Sequence, residues 1–430
     1  MEKSARRAKK LKEYSFFLLL GSLLIVLSSS LNVDAGEVRL ANFHAKKQIQ
    51  EVQIDLPRNL PRFKYNTGLN FTYPDAVRGV YMTAHTAGGY SNFLDVRNNP
   101  SRKLSASGKK FADIIHLIDN TELNAVVIDI KDDWGNLTYV PEPNSPLAEI
   151  GKPYIKNPRE LLELLEEKQI YPIARIVVFK DTVLANKKPN LSFLQNGAVW
   201  KNNRKESFVN PFLKEVWDHN VEVAIAAAKL GFKEIQFDYV RFPEGFEKRD
   251  QILTYSMGAY KEIEMDNIQK RVQAVTDFVA YAKEQLKPYD VDVSVDIFGY
   301  TATLPEAPGI GQNFTKISEH VDVISSMIYP SHWTSYFGIA KPDLEPYRLV
   351  TAYAKVENEK LSTLESRPIS RPWIQDFTAS YLGKGNYRNY GKEEVEAQIK
   401  ALNENGINEF LLWDAANTYT VGVDYTPLNK

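Results

Sequence analysis

The stretch Glu234-Ile-Gln-Phe-Asp-Tyr-Val-Arg-Phe-Pro-Glu244 contains a short, apolar, β-prone run that ends in charged residues. Asp238, Arg241 and Glu244 carry those charges. Barrels built from parallel strands place their functional side chains at the C-terminal ends of the strands. The stretch is therefore typical of a barrel strand that ends at a functional face.

The same pattern occurs seven more times, and each run is apolar in its middle and polar or aromatic at its far end. In chain order the eight runs are Arg78–Thr83, Ala125–Asp132, Ile173–Asp181, Glu234–Glu244, Val291–Gly299, Val321–Pro330, Pro372–Phe377 and Glu409–Ala415. Parallel strands need crossover connections of a dozen or more residues, and the gaps between the runs can hold helices. No phosphate-binding glycine motif follows the first run, which argues against a doubly wound sheet. The sequence predicts an α/β fold, the (β/α)₈ TIM barrel.

Helix start signals support these connections. Asn157 and Pro158 predict a helix start, with Glu160 at the position of a capping box. Asn210 and Pro211 repeat the signal, and Gly231 predicts the end of that second helix.

The N-terminus has the layout of a secretory signal. Six Lys and Arg residues lie within the first 15 positions, the apolar stretch Phe16–Leu27 follows, and Val33-Asp34-Ala35 offers a cleavage site. We expect a signal peptide or signal anchor over 1–35, a linker or N-terminal extension over 36–74, and the barrel over 75–430. A secreted or cell-envelope-associated bacterial protein is expected, with membrane contact only through the N-terminal segment if that segment is uncleaved.

Composition excludes several classes of function. With 53 Lys and Arg against 54 Asp and Glu, the net charge of −1 gives no electrostatic case for a nucleic-acid partner. The absence of Cys excludes disulfides and thiol catalysis. The six His form no metal-binding motif, and no serine-nucleophile motif is present. We expect no metal and no cofactor.

Two acids lead the candidates for chemistry. Asp238 and Asp296 fall late in the fourth and fifth runs, which are neighbours in a barrel built in sequence order. Glycoside hydrolysis needs one carboxylate as nucleophile or base and one protonated carboxyl group as acid. Alternatively, either Asp caps a helix or pairs with Arg241 or Arg175.

Further polar and aromatic residues lie at or beyond the predicted strand ends, where they could bind sugar hydroxyls or stack on sugar rings. The predicted substrate-binding residues are Asp129, Lys131, Asp132, Trp134, Arg175, Arg241, Glu244, Tyr329, His332, Trp333, Gln375, Trp413 and Asp414. For the charged members the alternative is a structural ion pair. For Trp373, which lies nearby, packing in the core is the preferred interpretation.

Five motifs, in this order, resemble the bacterial family described as a "putative glycoside hydrolase domain", a group of barrels distantly related to the α-amylase and α-galactosidase groups. They are Arg78–Tyr81, Val127–Lys131, Phe237–Pro243, Val295–Gly299 and Met327–Trp333. The resemblance runs from about Asp75 to the C-terminus.

The resemblance implies a glycosidase-like barrel acting on polysaccharide, with Asp238 as the strand-four nucleophile. The α-amylase group has an acidic Glu at the end of strand five, where this chain has Asp296. The α-galactosidase group takes an Asp from strand six, where this chain offers Ser325, Ser326 and Tyr329. The second carboxyl group is therefore expected at Asp296, with Glu244 and Asp414 in reserve.

The sequence thus predicts an exported glycoside hydrolase that cleaves an extracellular or cell-envelope polysaccharide with two carboxyl groups. A non-catalytic glycan-binding protein on a degenerate TIM barrel is the leading alternative. A barrel that serves only as a scaffold for partners is the third hypothesis.

Overall fold

A computed structural model describes residues 64–428, and eight parallel strands in this range form a closed barrel. They are β1 (Arg78–Met82), β2 (Ala125–Lys131), β3 (Tyr171–Val177), β4 (Glu234–Asp238), β5 (Asp292–Phe298), β6 (Val323–Met327), β7 (Trp373–Gln375) and β8 (Phe410–Trp413). Each strand pairs with the next in sequence, Trp373 of β7 pairs with Met327 of β6, and β8 pairs with β1. The predicted (β/α)₈ barrel is confirmed.

Helices occupy the connections. They are α1 (Ala84–Gly88), α2 (Tyr90–Asn98), α3 (Ala106–Asp119), α4 (Pro158–Glu167), α5 (Thr182–Lys187), α6 (Lys214–Leu230), α7 (Asn267–Leu286), α8 (Gly299–Ala302), α9 (Phe314–Ser318), α10 (Pro346–Leu361) and α11 (Lys392–Glu404). Two-residue strands Leu194–Gln195 and Ala198–Val199 form a small hairpin, and Ile369–Ser370 lies beside β6.

The predicted helix starts are only partly right. Asn157 caps α4 by accepting hydrogen bonds from the N–H groups of Arg159 and Glu160. The predicted capping box does not form, because Glu160 instead accepts a hydrogen bond from the hydroxyl of Tyr90. Helix α6 begins at Lys214 rather than directly after Pro211.

Asn210 explains the later start of α6. Its side chain accepts a hydrogen bond from the N–H of Phe212, and its carbonyl accepts one from Leu213, so these residues form a turn ahead of the helix. Asn favours such local turns as much as it favours helix caps. The helix ends as predicted at Gly231, whose φ is +121°.

Several strands end earlier than their apolar runs. β3 ends at Val177 and β4 at Asp238, so Lys180, Arg241 and Glu244 lie in the loops beyond them. Those loops bring charged side chains to the C-terminal face of the barrel.

The N-terminal end of the barrel is closed by a buried ion network. The guanidinium of Arg371 contacts Glu234 at 2.7 Å and Glu409 at 2.7 Å, and Ser294 donates to Glu234 at 2.6 Å. Tyr73 joins the network by donating to Glu409. The pairing satisfies charges that would otherwise be costly to bury, so this end of the barrel is built for stability.

The predicted signal segment 1–35 and most of the predicted extension lie outside the described residues. Residues 64–74 of the extension carry no helix or strand, and Tyr65 donates its N–H to the carbonyl of Pro288. Within residues 64–428, no helix has the length and apolar character needed to cross a membrane.

Candidate active site

Asp238 is the last residue of β4, and its carboxylate is held by N–H groups. The Nε and Nη2 atoms of Arg175 donate to Oδ2 at 2.9 and 2.6 Å. The backbone N–H of Tyr239 donates to Oδ1 at 2.6 Å. Both oxygens therefore accept hydrogen bonds from N–H donors, and those to Oδ2 come from a charged guanidinium.

Asp296 lies on the neighbouring strand β5, and its surroundings are different. Its side chain accepts one hydrogen bond, from the indole Nε1 of Trp373 to Oδ1 at 2.7 Å, and Oδ2 accepts none within residues 64–428. The residue is only 2% exposed. Burial, and then the negative charge of Asp238, raises the pKa of Asp296 well above the ordinary value.

The strand register explains why these two acids meet. Phe237 of β4 lies opposite Val295 of β5, so the next residues, Asp238 and Asp296, occupy the same level of the barrel. Two carboxyl groups in one buried site cannot both ionise cheaply. Asp238 has a cationic partner in Arg175, whereas Asp296 has none and its pKa is raised.

Arg175 organises the floor of this site. Besides its two bonds to Asp238, its Nη1 donates to Oδ1 of Asp129 at 2.7 Å and lies 3.5 Å from Oδ2 of Asp133. The hydroxyl of Tyr81 donates to the other oxygen of Asp129 at 2.6 Å. A planar guanidinium can serve several carboxylates in a fixed geometry, which an ammonium group cannot.

The two other acids around Arg175 respond differently to it. Burial raises the pKa of Asp129 to about 6, although the charge of Arg175 opposes this shift. Partial burial also disfavours ionisation of Asp133, but Arg175 and Lys180 outweigh it and lower the pKa of Asp133 to about 2. The side chain of Asp133 is 41% exposed, so the site presents one firmly ionised carboxylate to solvent.

Aromatic rings line the same face. Tyr81 stacks on Trp413 with ring centroids 4.2 Å apart, and Trp373 meets Trp413 edge to face at 5.6 Å. Trp373 is buried in the core, as the sequence predicted, whereas Trp413 is partly exposed. Tyr329 is buried beside Trp413, and its hydroxyl takes part in no hydrogen bond within residues 64–428.

Among the predicted substrate-binding Trp and Tyr residues, Trp134 has the most exposed ring. It lies in the loop after β2 and is 50% exposed. A flat, exposed indole near a cleft can stack on a ligand ring.

Four predicted binding residues are used elsewhere in the structure. Lys131 is fully buried behind β2, where its ammonium contacts Asp181 at 2.6 Å and donates to Asn220 of α6. A register shift between Asp129 and Lys131 turns the two side chains to different sides of the strand. Lys131 is therefore not brought to the acid pair.

The other three hold loops in place. The side chain of Asp132 accepts hydrogen bonds from the backbone N–H groups of Trp134, Gly135 and Asn136. Asp414 likewise accepts the N–H groups of two residues in the turn that follows β8. Gln375 is fully buried and contacts the N–H of Ser331 and a carboxylate oxygen of Asp343.

The remaining predicted residues lie on the rim. Arg241 is buried and contacts Glu244 at 3.2 Å, and the side chain of Glu244 is 72% exposed. His332 is exposed, and its ring is tilted by 58° against that of Tyr329, with the ring centroids 5.2 Å apart. Trp333 packs against Tyr336, Phe337 and the buried Tyr353, beneath the loop after β6.

The prediction overlooked Asp133 and Tyr81 as residues of the site, and it missed the backbone conformation of Tyr239. Asp133 stands beside the predicted Asp132, but nothing in the sequence distinguishes the turn-forming Asp from the one that faces solvent. Tyr81 is the fourth residue of β1, a position where an inward-facing hydroxyl could have been expected. Tyr239 has a positive φ of +53°, for which no residue-type signal exists.

A metal centre is not evident in the part of the chain that the structure describes. No three His, Asp or Glu side chains in it are grouped so that they could hold an ion. The site as described consists of carboxyl groups, one guanidinium and aromatic rings.

Comparison with known proteins is consistent with this arrangement. The model of a family described as "Putative glycosyl hydrolase domain" matches residues 101–419. No curated protein shows significant similarity to the chain.

Among solved structures, the PgaB (BpsB) glycoside hydrolase domain from Bordetella bronchiseptica is 14% identical. The match covers 80% of this chain and 95% of that one, with a TM-score of 0.53, so the two share the barrel fold. A hypothetical protein from Ruminiclostridium thermocellum is 30% identical over 50% of this chain and 96% of its own, with a TM-score of 0.39.

Proposed function

This chain belongs to the family described as "Putative glycosyl hydrolase domain", which makes it a glycoside hydrolase by class, and we propose that Asp238 and Asp296 are its catalytic pair. The proposed substrate is an extracellular or cell-envelope polysaccharide. The carrying observation is the unequal environment of the pair: Asp238 is held by Arg175, whereas Asp296 is buried and accepts one hydrogen bond, from Trp373.

In the proposed reaction Asp296 is the general acid. Its raised pKa favours the protonated carboxyl group, which can transfer its proton to the glycosidic oxygen as the bond from this oxygen to the anomeric carbon breaks. The leaving saccharide departs as a neutral alcohol. Asp296 is left as a carboxylate.

Asp238 completes the reaction by one of two routes. As a nucleophile it would attack the anomeric carbon and form a glycosyl ester, which water then hydrolyses while Asp296 takes the proton of that water. As a base it would take a proton from water that attacks the same carbon directly. The separation of the two carboxyl groups in the substrate complex decides between retention and inversion.

Arg175 and the rings support the proposed chemistry in different ways. Arg175 holds the side chain of Asp238 in place through a salt bridge, and the charge of Arg175 is also balanced by Asp129 and Asp133. Trp413 and Trp134 offer partly or half-exposed faces on which sugar rings can stack. Export of the enzyme is proposed from the basic and apolar N-terminal segment 1–35.

The test is hydrolysis of a panel of bacterial cell-wall and extracellular polysaccharides, with released oligosaccharides identified by mass spectrometry. Wild type, Asp238→Asn and Asp113→Asn should be compared, because Asp113 undergoes the same chemical change at an exposed position on α3, outside the candidate site. We expect products from wild type and Asp113→Asn and none from Asp238→Asn. Saccharide binding without products from any of the three would favour the non-catalytic glycan-binding protein.

A further inference from the structure

Tyr239, the residue directly after Asp238, has an unusual backbone conformation. Its φ is +53°, in the left-handed region. For a bulky residue without a glycine's freedom this conformation is uncommon and costs free energy. Such outliers persist only where the surrounding structure holds them, and they concentrate at functional sites.

The conformation lets one residue satisfy two sets of hydrogen bonds. The N–H of Tyr239 turns back to Oδ1 of Asp238 at 2.6 Å. Its carbonyl accepts hydrogen bonds from the N–H groups of Arg241 at 2.9 Å and Phe179 at 3.3 Å. The carbonyl is thereby fixed to the loops after β3 and β4, while the N–H remains aimed at the carboxylate.

Two cations lie over the Tyr239 ring. The Nζ atom of Lys180 is 4.0 Å from the ring centroid, and the guanidinium carbon of Arg241 is 4.8 Å from it. Both cations are anchored, since Lys180 contacts Asp133 at 2.6 Å and Arg241 contacts Glu244. Contacts of this kind are attractive and strengthen when they are removed from water.

From these contacts we infer that Tyr239 is a positioning residue. The two cations hold its ring in place, and the ring in turn keeps the backbone in the left-handed conformation. That conformation directs the N–H of Tyr239 to the carboxylate of Asp238 and so fixes the orientation of Asp238. The kinetic consequence rests on the proposed function. The backbone part does not, and it can be tested without any substrate. Lys180 and Arg241 are accordingly assigned to the support of Asp238 rather than to the sugar.

The discriminating comparison is Tyr239→Gly against Tyr239→Ala in the full chain, with Tyr239→Phe as the control that keeps the ring. Gly and Ala both remove the ring, but only Gly adopts a positive φ without strain. We expect the midpoint of thermal unfolding to be higher for Gly than for Ala. An ordinary backbone at this position would give the reverse order, because Gly loses more conformational entropy on folding.

A second measurement reports the orientation of the Asp238 side chain. Its side-chain carboxyl carbon, observed by NMR, should keep its wild-type chemical shift in Tyr239→Phe and nearly keep it in Tyr239→Gly, but should move in Tyr239→Ala. On a hydrolysed glycan, kcat should be about tenfold lower for Ala than for Gly, the factor expected from the cost of a left-handed Ala, with similar KM.

The two failures are distinguishable. An Ala variant that unfolds no earlier than Gly, and that leaves the Asp238 signal unmoved, would overturn the positioning role even if the enzyme hydrolyses glycans. If wild type hydrolyses no glycan but the Gly and Ala variants differ as expected, the positioning role stands and the proposed function fails.

Discussion

The substitution Asp296→Asn tests whether Asp296 acts as a general acid without disturbing how its side chain packs in the fold. The Asn side chain has the same shape, and its carbonyl oxygen can still accept the hydrogen bond that Trp373 donates at 2.7 Å. What the variant lacks is the transferable proton. General acid catalysis typically contributes about 10²- to 10⁴-fold, so kcat on a natural glycan should fall by that factor, equivalent to about 3 to 5 kcal/mol.

The size of the loss should depend on the leaving group. A sugar alcohol leaves poorly without a proton, whereas an activated aryl group leaves as a stable anion. On an activated aryl glycoside of the sugar that the enzyme accepts, Asp296→Asn should retain kcat/KM within about tenfold of wild type. The reason is that kcat/KM reports the steps up to departure of the leaving group and not a later attack of water in which Asp296 would act as base.

The same substitution should stabilise the protein near neutral pH. Because the folded pKa of Asp296 is raised, its contribution to stability is fully present below the ordinary pKa and is lost as pH rises through the folded pKa. Asn does not titrate, so its advantage should grow as pH rises. We therefore expect Asp296→Asn to be more stable than wild type at pH 7, and the difference to be smaller at acidic pH.

The assays are steady-state kinetics on both substrates and urea unfolding at several pH values. Equal losses of kcat/KM on the natural glycan and the activated glycoside would refute the acid role, because they would show that proton transfer to the leaving group is not what was removed. A variant less stable than wild type at pH 7 would refute the raised pKa as the reason that the proton is held.

Arg175→Lys should lower kcat about 10- to 100-fold, because an ammonium group cannot reproduce the pair of bonds to Asp238; activity equal to wild type would show that charge alone suffices. Trp134→Ala should raise KM about fivefold with little change in kcat, from loss of about 1 kcal/mol of ring stacking, and a fall in kcat alone would argue against a binding role. Arg371→Met should lower the free energy of unfolding by about 3 to 5 kcal/mol by leaving the buried Glu234 unpaired, with KM unchanged; unaltered urea unfolding would contradict this.

The barrel could be predicted from the sequence because its signals are local. Each strand corresponds to an apolar run in the sequence. Residues such as Gly231 indicate helix ends through their own conformational preference. Asn210 shows the limit of such signals, since an Asn before a Pro suits a turn and a helix cap equally well, and packing decides between them.

The site was less predictable because it depends on register and on charge pairing between strands. Asp238 and Asp296 could be proposed as a pair because neighbouring strands in a barrel meet at one level. The contact of Lys131 with Asp181 could not be predicted, because it depends on the register shift in β2, which turns the Lys131 side chain away from the acid pair. Likewise, Arg175 becomes a shared partner of three Asp residues only when the fold brings β2, the loop after it, β3 and β4 together.

We expect Asp296 to retain its proton because it is buried beside the charge of Asp238, and carboxyl-carbon NMR titration tests this without any substrate. The Asp296 signal is identified by its loss in Asp296→Asn. We predict that it titrates well above the ordinary range of an Asp, and that Asp238→Asn moves its midpoint to lower pH by removing the neighbouring negative charge. An Asp296 signal that titrates with the exposed Asp residues, or that does not respond to Asp238→Asn, would contradict the account.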